Sequence, residues 1–101
     1  AKFALNHFNI SKYKMMALIA MENKDYDEAI SYYERSLSNA DLQEQQHLIS
    51  LDLADIALTT GDYSRSIELV QLVLDNSEPR SINHTRAEEL FGRIKYTQSA
   101  S

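Results

Sequence analysis

What most limits the fold available to this chain is that it contains a copy of itself. Lys24-Asp25-Tyr26-Asp27-Glu28-Ala29-Ile30 lies over Gly61-Asp62-Tyr63-Ser64-Arg65-Ser66-Ile67 at a displacement of 37 residues. The same displacement sets Met16-Ala17 on Leu53-Ala54, Ala20 on Ala57, Leu53 on Leu90 and Ile56 on Arg93. Except at that last pair, residues of core type fall on residues of core type. Self-similarity at a fixed period of this length signals a stack of like supersecondary units, each too small to enclose its own apolar face.

The units read as helical. Two glycines (Gly61, Gly92) and one proline (Pro79) punctuate 101 residues, too few breakers for a β-rich or loop-rich domain. Over 10–23, Ile10, Tyr13, Met16, Ala17 and Ala20 make the stripe of an amphipathic helix. Asp25 with Glu28 is an N-terminal capping pattern for a second helix carrying Ala29, Ile30, Tyr33 and Leu37. Residues 38–45, mostly polar, form a connection, and Ile49, Leu53, Ile56 and Ala57 define a third helix ending at Thr60-Gly61, where positive φ is wanted. Asp62 caps a fourth helix with Ile67, Val70, Val73 and Leu74, closed by 76–81 around Pro79. Thr85 and Glu88 read as a capping box for a fifth helix carrying Ala87, Leu90, Phe91 and Ile94. The expectation is an all-α fold of five helices in one domain, 1–101: repeat 1 over about 10–40, repeat 2 over about 47–79, and a capping or partial-repeat helix over about 83–97. A sequence opening on Ala1 suggests a domain excised from a longer protein.

The unit resembles the tetratricopeptide repeat, over residues 10 to about 95. The first copy supplies Tyr13, Met16, Ala17, Ala20, Tyr26, Ala29, Tyr33 and Ser36. The second supplies Ser50, Leu53, Ala54, Ala57, Gly61, Tyr63, Ser66, Val70 and Val73, with Pro79 at its end. Ser50 stands where the family has a large aromatic residue, Ala20 and Ala57 replace another, and the period exceeds the family's 34 residues. The resemblance implies a short right-handed α-solenoid acting as a scaffold for protein–protein interaction, its first helices lining a concave surface that holds peptides. On that geometry the binding residues are Lys14, Leu18, Met21, Leu48, Leu51, Asp55, Leu58, Glu88 and Lys95, with Thr85 and Gly92 on the same side. Lys14 matches one place used by members that grip a C-terminal carboxylate, but Leu18, Leu48, Leu51 and Asp55 occupy the others, so that ligand type is not expected.

The third helix is apolar nearly all round. Ile49, Leu53 and Ile56 serve the core, which leaves Leu48, Leu51 and Leu58 as a second stripe that expects a cover. The favoured reading is therefore a module that binds a peptide or amphipathic helix in an apolar groove with an acidic floor at Asp52 and Asp55. The alternative is a structural or homodimerising segment of a larger regulatory protein.

Charge argues against nucleic acid as a partner. Residues 1–24 carry four lysines against Glu22, residues 25–79 carry twelve acids against Arg35 and Arg65, and residues 80–101 carry four cations against Glu88 and Glu89. The strongly acidic middle would repel phosphates. The absence of cysteine removes disulfide and thiolate-zinc frameworks and suits a reducing, cytoplasmic setting. The longest apolar run, Met15 to Met21, is far short of the ~20 residues of a membrane span. No Gly-x-Ser-x-Gly elbow, phosphate loop or His-Glu-x-x-His helix occurs, so no enzyme and no cofactor is expected. His7, His47 and His84 read as solvated helix-end residues. Asn23, Asp25, Asp27, Ala29, Ser31 and Glu34 fit a calcium-loop spacing, but Glu28 occupies the position that requires glycine, so no metal is expected. The sequons at Asn9 and Asn83 read as helix caps.

Overall fold

The computed structural model describes residues 2–100, and the side chains of residues 5–100. Five helices account for most of it: α1 (Lys2–Glu22), α2 (Tyr26–Ser38), α3 (Gln43–Thr59), α4 (Tyr63–Asn76) and α5 (Ile82–Ala100), with no strand among the described residues. The chain divides into two compact units, Ala1–Ile49 and Ser50–Ser101. α1 packs on α2 in the first, and α4 packs on α5 in the second.

The 37-residue period is written into the backbone. Lys24 and Gly61 both take left-handed conformations, with φ of 60° and 85°. Lys24 N–H donates to the Met21 carbonyl (3.0 Å) and Asp25 N–H to that of Ala20 (2.9 Å). Gly61 and Asp62 repeat the pair to Leu58 (3.2 Å) and Ala57 (2.8 Å). This is the Schellman closure, which satisfies carbonyls that a helix end leaves orphaned. It turns each chain back sharply enough for the next helix to lie against the one just ended.

Close approach follows from small residues at the crossings. Ala17, Ala29, Ala54 and Ser66 are fully buried. Ser36 Oγ donates to the Ile10 carbonyl at 3.0 Å, tying α2 to α1. Ser66 Oγ donates to the Ala54 carbonyl at 2.7 Å, tying α4 to α3. A hydroxyl at such a crossing is satisfied by the neighbouring helix, so its burial carries no desolvation penalty. The first pair is also clasped by stacked Tyr13 and Tyr32 rings (6.4 Å between centroids), with the Arg35 guanidinium against both.

Several boundaries depart from expectation. α1 starts at Lys2 rather than near residue 10, so Asn9 and Ser11 are interior to it, and Asn9 Nδ2 meets Asn39 Oδ1 at 3.3 Å instead of capping. α5 starts at Ile82 because Ser81 is its cap, accepting from His84 N–H at 3.1 Å; the Thr85 hydroxyl turns back to the Ser81 carbonyl inside the helix. Asp62 caps α4 through Arg65 N–H (3.2 Å), whereas Asp25 makes no side-chain cap. Its carboxylate instead lies near that of Glu28, and hydrogen bonding and charge between the two raise the Glu28 pKa from its usual value. Ala40 is buried rather than lying in an exposed connection, and His47 is buried in α3 rather than solvated at a helix end. Residues 26–34 are continuous helix, not a cation-binding loop.

Candidate functional site

From Leu48 onward, the side of α3 left open carries Leu48, Asp52, Asp55 and Thr59, spaced four, three and four residues apart and so stacked on one helical face. Two of these residues meet α5. Arg86 Nη2 lies 3.9 Å from Asp52 Oδ1, and Arg93 Nη2 lies 3.6 Å from Asp55 Oδ1. Arg86 and Arg93 are seven residues apart, two helical turns, which puts both on the edge of α5 that meets α3. Between the pairs lies a small pocket of about 110 Å³ lined by Leu51, Asp55, Arg86, Glu89, Leu90 and Arg93. Its floor is leucine and its rim is charged with both signs. Further along, Glu89, Gly92, Arg93, Tyr96 and Thr97 edge a shallow depression. Gly92 carries no side chain there, and a Cβ added to it would meet nothing within 4 Å. Tyr96 stands exposed beside it.

Leu51 and Leu58 are the main correction to the expected groove. They are only 2% and 9% exposed. Both sit on the face of Ala54, at i−3 and i+4, and Ala54 is where α4 crosses through Ser66. Leu51 also meets the α5 side, in the pocket beside Leu90. The helix is apolar on so many sides because this chain covers it on those sides, and an open groove cannot include these two leucines.

The other expected residues fall into repeat-equivalent sets. Lys14, Leu51 and Glu88 share one place at 37-residue intervals, and Met21, Leu58 and Lys95 share another. Lys14 and Met21 are half-buried, whereas Glu88 and Lys95 are exposed, away from the edge that holds Arg86 and Arg93. Lys95 Nζ rests 5.4 Å over the Phe91 ring. Leu18 is exposed on α1, Leu48 half-buried, and Asp55 exposed and paired. The structure thus keeps Asp52 and Asp55 together, but sets them against arginines instead of under an apolar ligand. Arg86, Glu89 and Arg93 were not among the expected residues. A signal was present in the repeat alignment, which sets Arg86 on Ile49 and Arg93 on Ile56.

A family model described as tetratricopeptide repeat matches residues 13–41. That stretch holds the latter part of α1, the left-handed turn at Lys24 and all of α2. The same turn, the same buried small residues and a second helical pair recur 37 residues later. The matched stretch and the five-helix architecture support a tetratricopeptide-type repeat protein. No curated protein and no solved structure matches it. Tetratricopeptide repeats generally mediate protein–protein interaction and are generally non-catalytic. Among the described residues of this repeat protein, no helix is long and apolar enough to cross a membrane.

Proposed function

We propose that this repeat protein binds a peptide or short helix of another protein along the charged strip formed by Asp52 and Asp55 on α3 with Arg86, Glu89, Arg93 and Tyr96 on α5. The observation that carries the reading is the pair of cross-helix ion pairs framing a leucine-floored pocket on an accessible face. An exposed ion pair such as Arg93–Asp55 contributes at most ~1 kcal/mol to stability, so a ligand can exchange it for its own charges at little cost to the fold. Anions and cations in alternation suit a ligand bearing both signs, and the bare backbone at Gly92 lets a main chain come close beside Tyr96. Of the residues expected from sequence, Asp55 lies in this strip and Leu48 continues it along α3.

Selection of peptides from a displayed library against the whole chain tests the proposal. Peptides recovered on the native chain should lose at least roughly tenfold in affinity on Glu89→Arg and on Tyr96→Ala, a change worth ~1.4 kcal/mol. Both side chains are exposed, so the circular dichroism of the variants should not change. If the recovered peptides bind both variants as tightly as the native chain, the contact strip lies elsewhere.

A further inference from the structure

Leu5, Phe8, Met15, Met16 and Ile19 are all exposed on α1, with exposed Lys12 among them. Their spacing places them on one side of the helix, away from buried Ile10 and Ala17. The repeat register shows that this is not ordinary surface. Met16 (37% exposed) and Ile19 (55%) occupy the places of Leu53 (5%) and Ile56 (1%) one copy later. Two copies on, Lys12, Met16 and Ile19 become Arg86, Leu90 and Arg93. In that copy the stripe is seated: α5 packs on α4, Leu90 is buried, and the two arginines meet Asp52 and Asp55 of α3.

We propose that the open stripe of α1 is a second docking face, taking an acid-bearing helical hairpin of another protein that presents aliphatic side chains and a carboxylate to Lys12, as α3 and α4 do to α5. Charge selects this occupant. Lys12 lies at the centre of the stripe, its Nζ 4.6 Å from the centre of the Tyr13 ring on the same helix, and a facing carboxylate complements it. A second copy of this chain fits poorly on two counts. Two such stripes laid face to face set Lys12 near Lys12, and the α3–α4 seat that a second copy could offer is already filled by its own α5.

The three methionines make the proposal measurable on the whole chain, because Met15 and Met16 lie in the stripe while Met21 lies outside it. The probe is a disulfide-closed synthetic helical hairpin, folded on its own, that presents aliphatic side chains and two aspartates on one face. Titrated into chain labelled with 13C at its methionine methyls, it should shift Met15 and Met16 and leave Met21 in place. Lys12→Glu should weaken binding by roughly tenfold, and a peptide with both aspartates changed to lysine should recover it. Light scattering on the chain alone should give a monomer at every concentration. Met15 and Met16 signals unmoved by millimolar peptide would overturn the proposal. A dimer that disappears on Ile19→Asp would also overturn it, in favour of a second copy as the occupant.

Discussion

At the scale of single residues, the two copies of the turn form an internal experiment. Lys24 and Gly61 hold the same left-handed place and make the same backbone hydrogen bonds, but a Cβ is disfavoured there and glycine has none. Lys24→Gly should therefore stabilise the protein by about 0.5–1 kcal/mol, and Gly61→Ala should destabilise it by a similar amount. Urea unfolding of both variants checks this, and a loss of stability in Lys24→Gly would show that the lysine side chain does more at the turn than occupy it. His47 supplies a pH dependence. Burial holds its imidazole below the usual value of 6.5, so the unfolded chain takes up a proton more readily than the folded one. Its contribution is complete above pH 6.5 and is lost as pH falls from there through the lowered folded value. His47→Gln should flatten the decline of stability as pH falls below 6.5, measured by denaturant midpoint at each pH.

At the scale of helices, α3 shows how far a sequence pattern reaches. Ala54→Leu forces a large side chain into the crossing where Ser66 bonds the Ala54 carbonyl, and should cost ~1–3 kcal/mol by overpacking. Thr59→Leu, at an exposed position on the same helix, should stay within ~0.5 kcal/mol of the native chain. Equal melting temperatures would mean that the two helices do not cross at Ala54. The identities of all five helices and their small-residue crossings were legible because periodicity is a local consequence of burial. The core faces of α1 and α3 were legible only in part, since Met16 is exposed and Leu51 and Leu58 are buried. Helix starts were less so, since several Asn, Ser and Thr residues compete as caps and only the chain path chooses: Ser81 prevails over Thr85 because the turn through Pro79 delivers Ser81 first. The site was legible only in part. Asp52 and Asp55 stood out on α3, but that Arg86 and Arg93 face them depends on how α5 lies against α3, which no local pattern states.

At the scale of the whole molecule, the leucines of α3 separate folding from binding. The sequence pattern offers Leu51 and Leu58 as ligand contacts, and the structure buries both. A leucine that an absent partner would cover should be dispensable to the unbound fold, whereas one covered by the chain's own helices should not. Replacing either with serine removes buried methyl groups, leaves a cavity and buries a hydroxyl, a combination that costs ~2–5 kcal/mol. Against a total stability of about 5–15 kcal/mol, the Leu51→Ser/Leu58→Ser double variant should lose its cooperative thermal transition or melt far below the native chain, much as Leu53→Ser does. Leu18→Ser, on the exposed side of α1, should melt close to the native temperature, since its side chain already meets water. Thermal denaturation followed by circular dichroism on these four chains decides the matter. If the double variant melts with Leu18→Ser rather than with Leu53→Ser, then Leu51 and Leu58 are not held by α4 and α5, and an apolar groove on α3 returns as the binding surface.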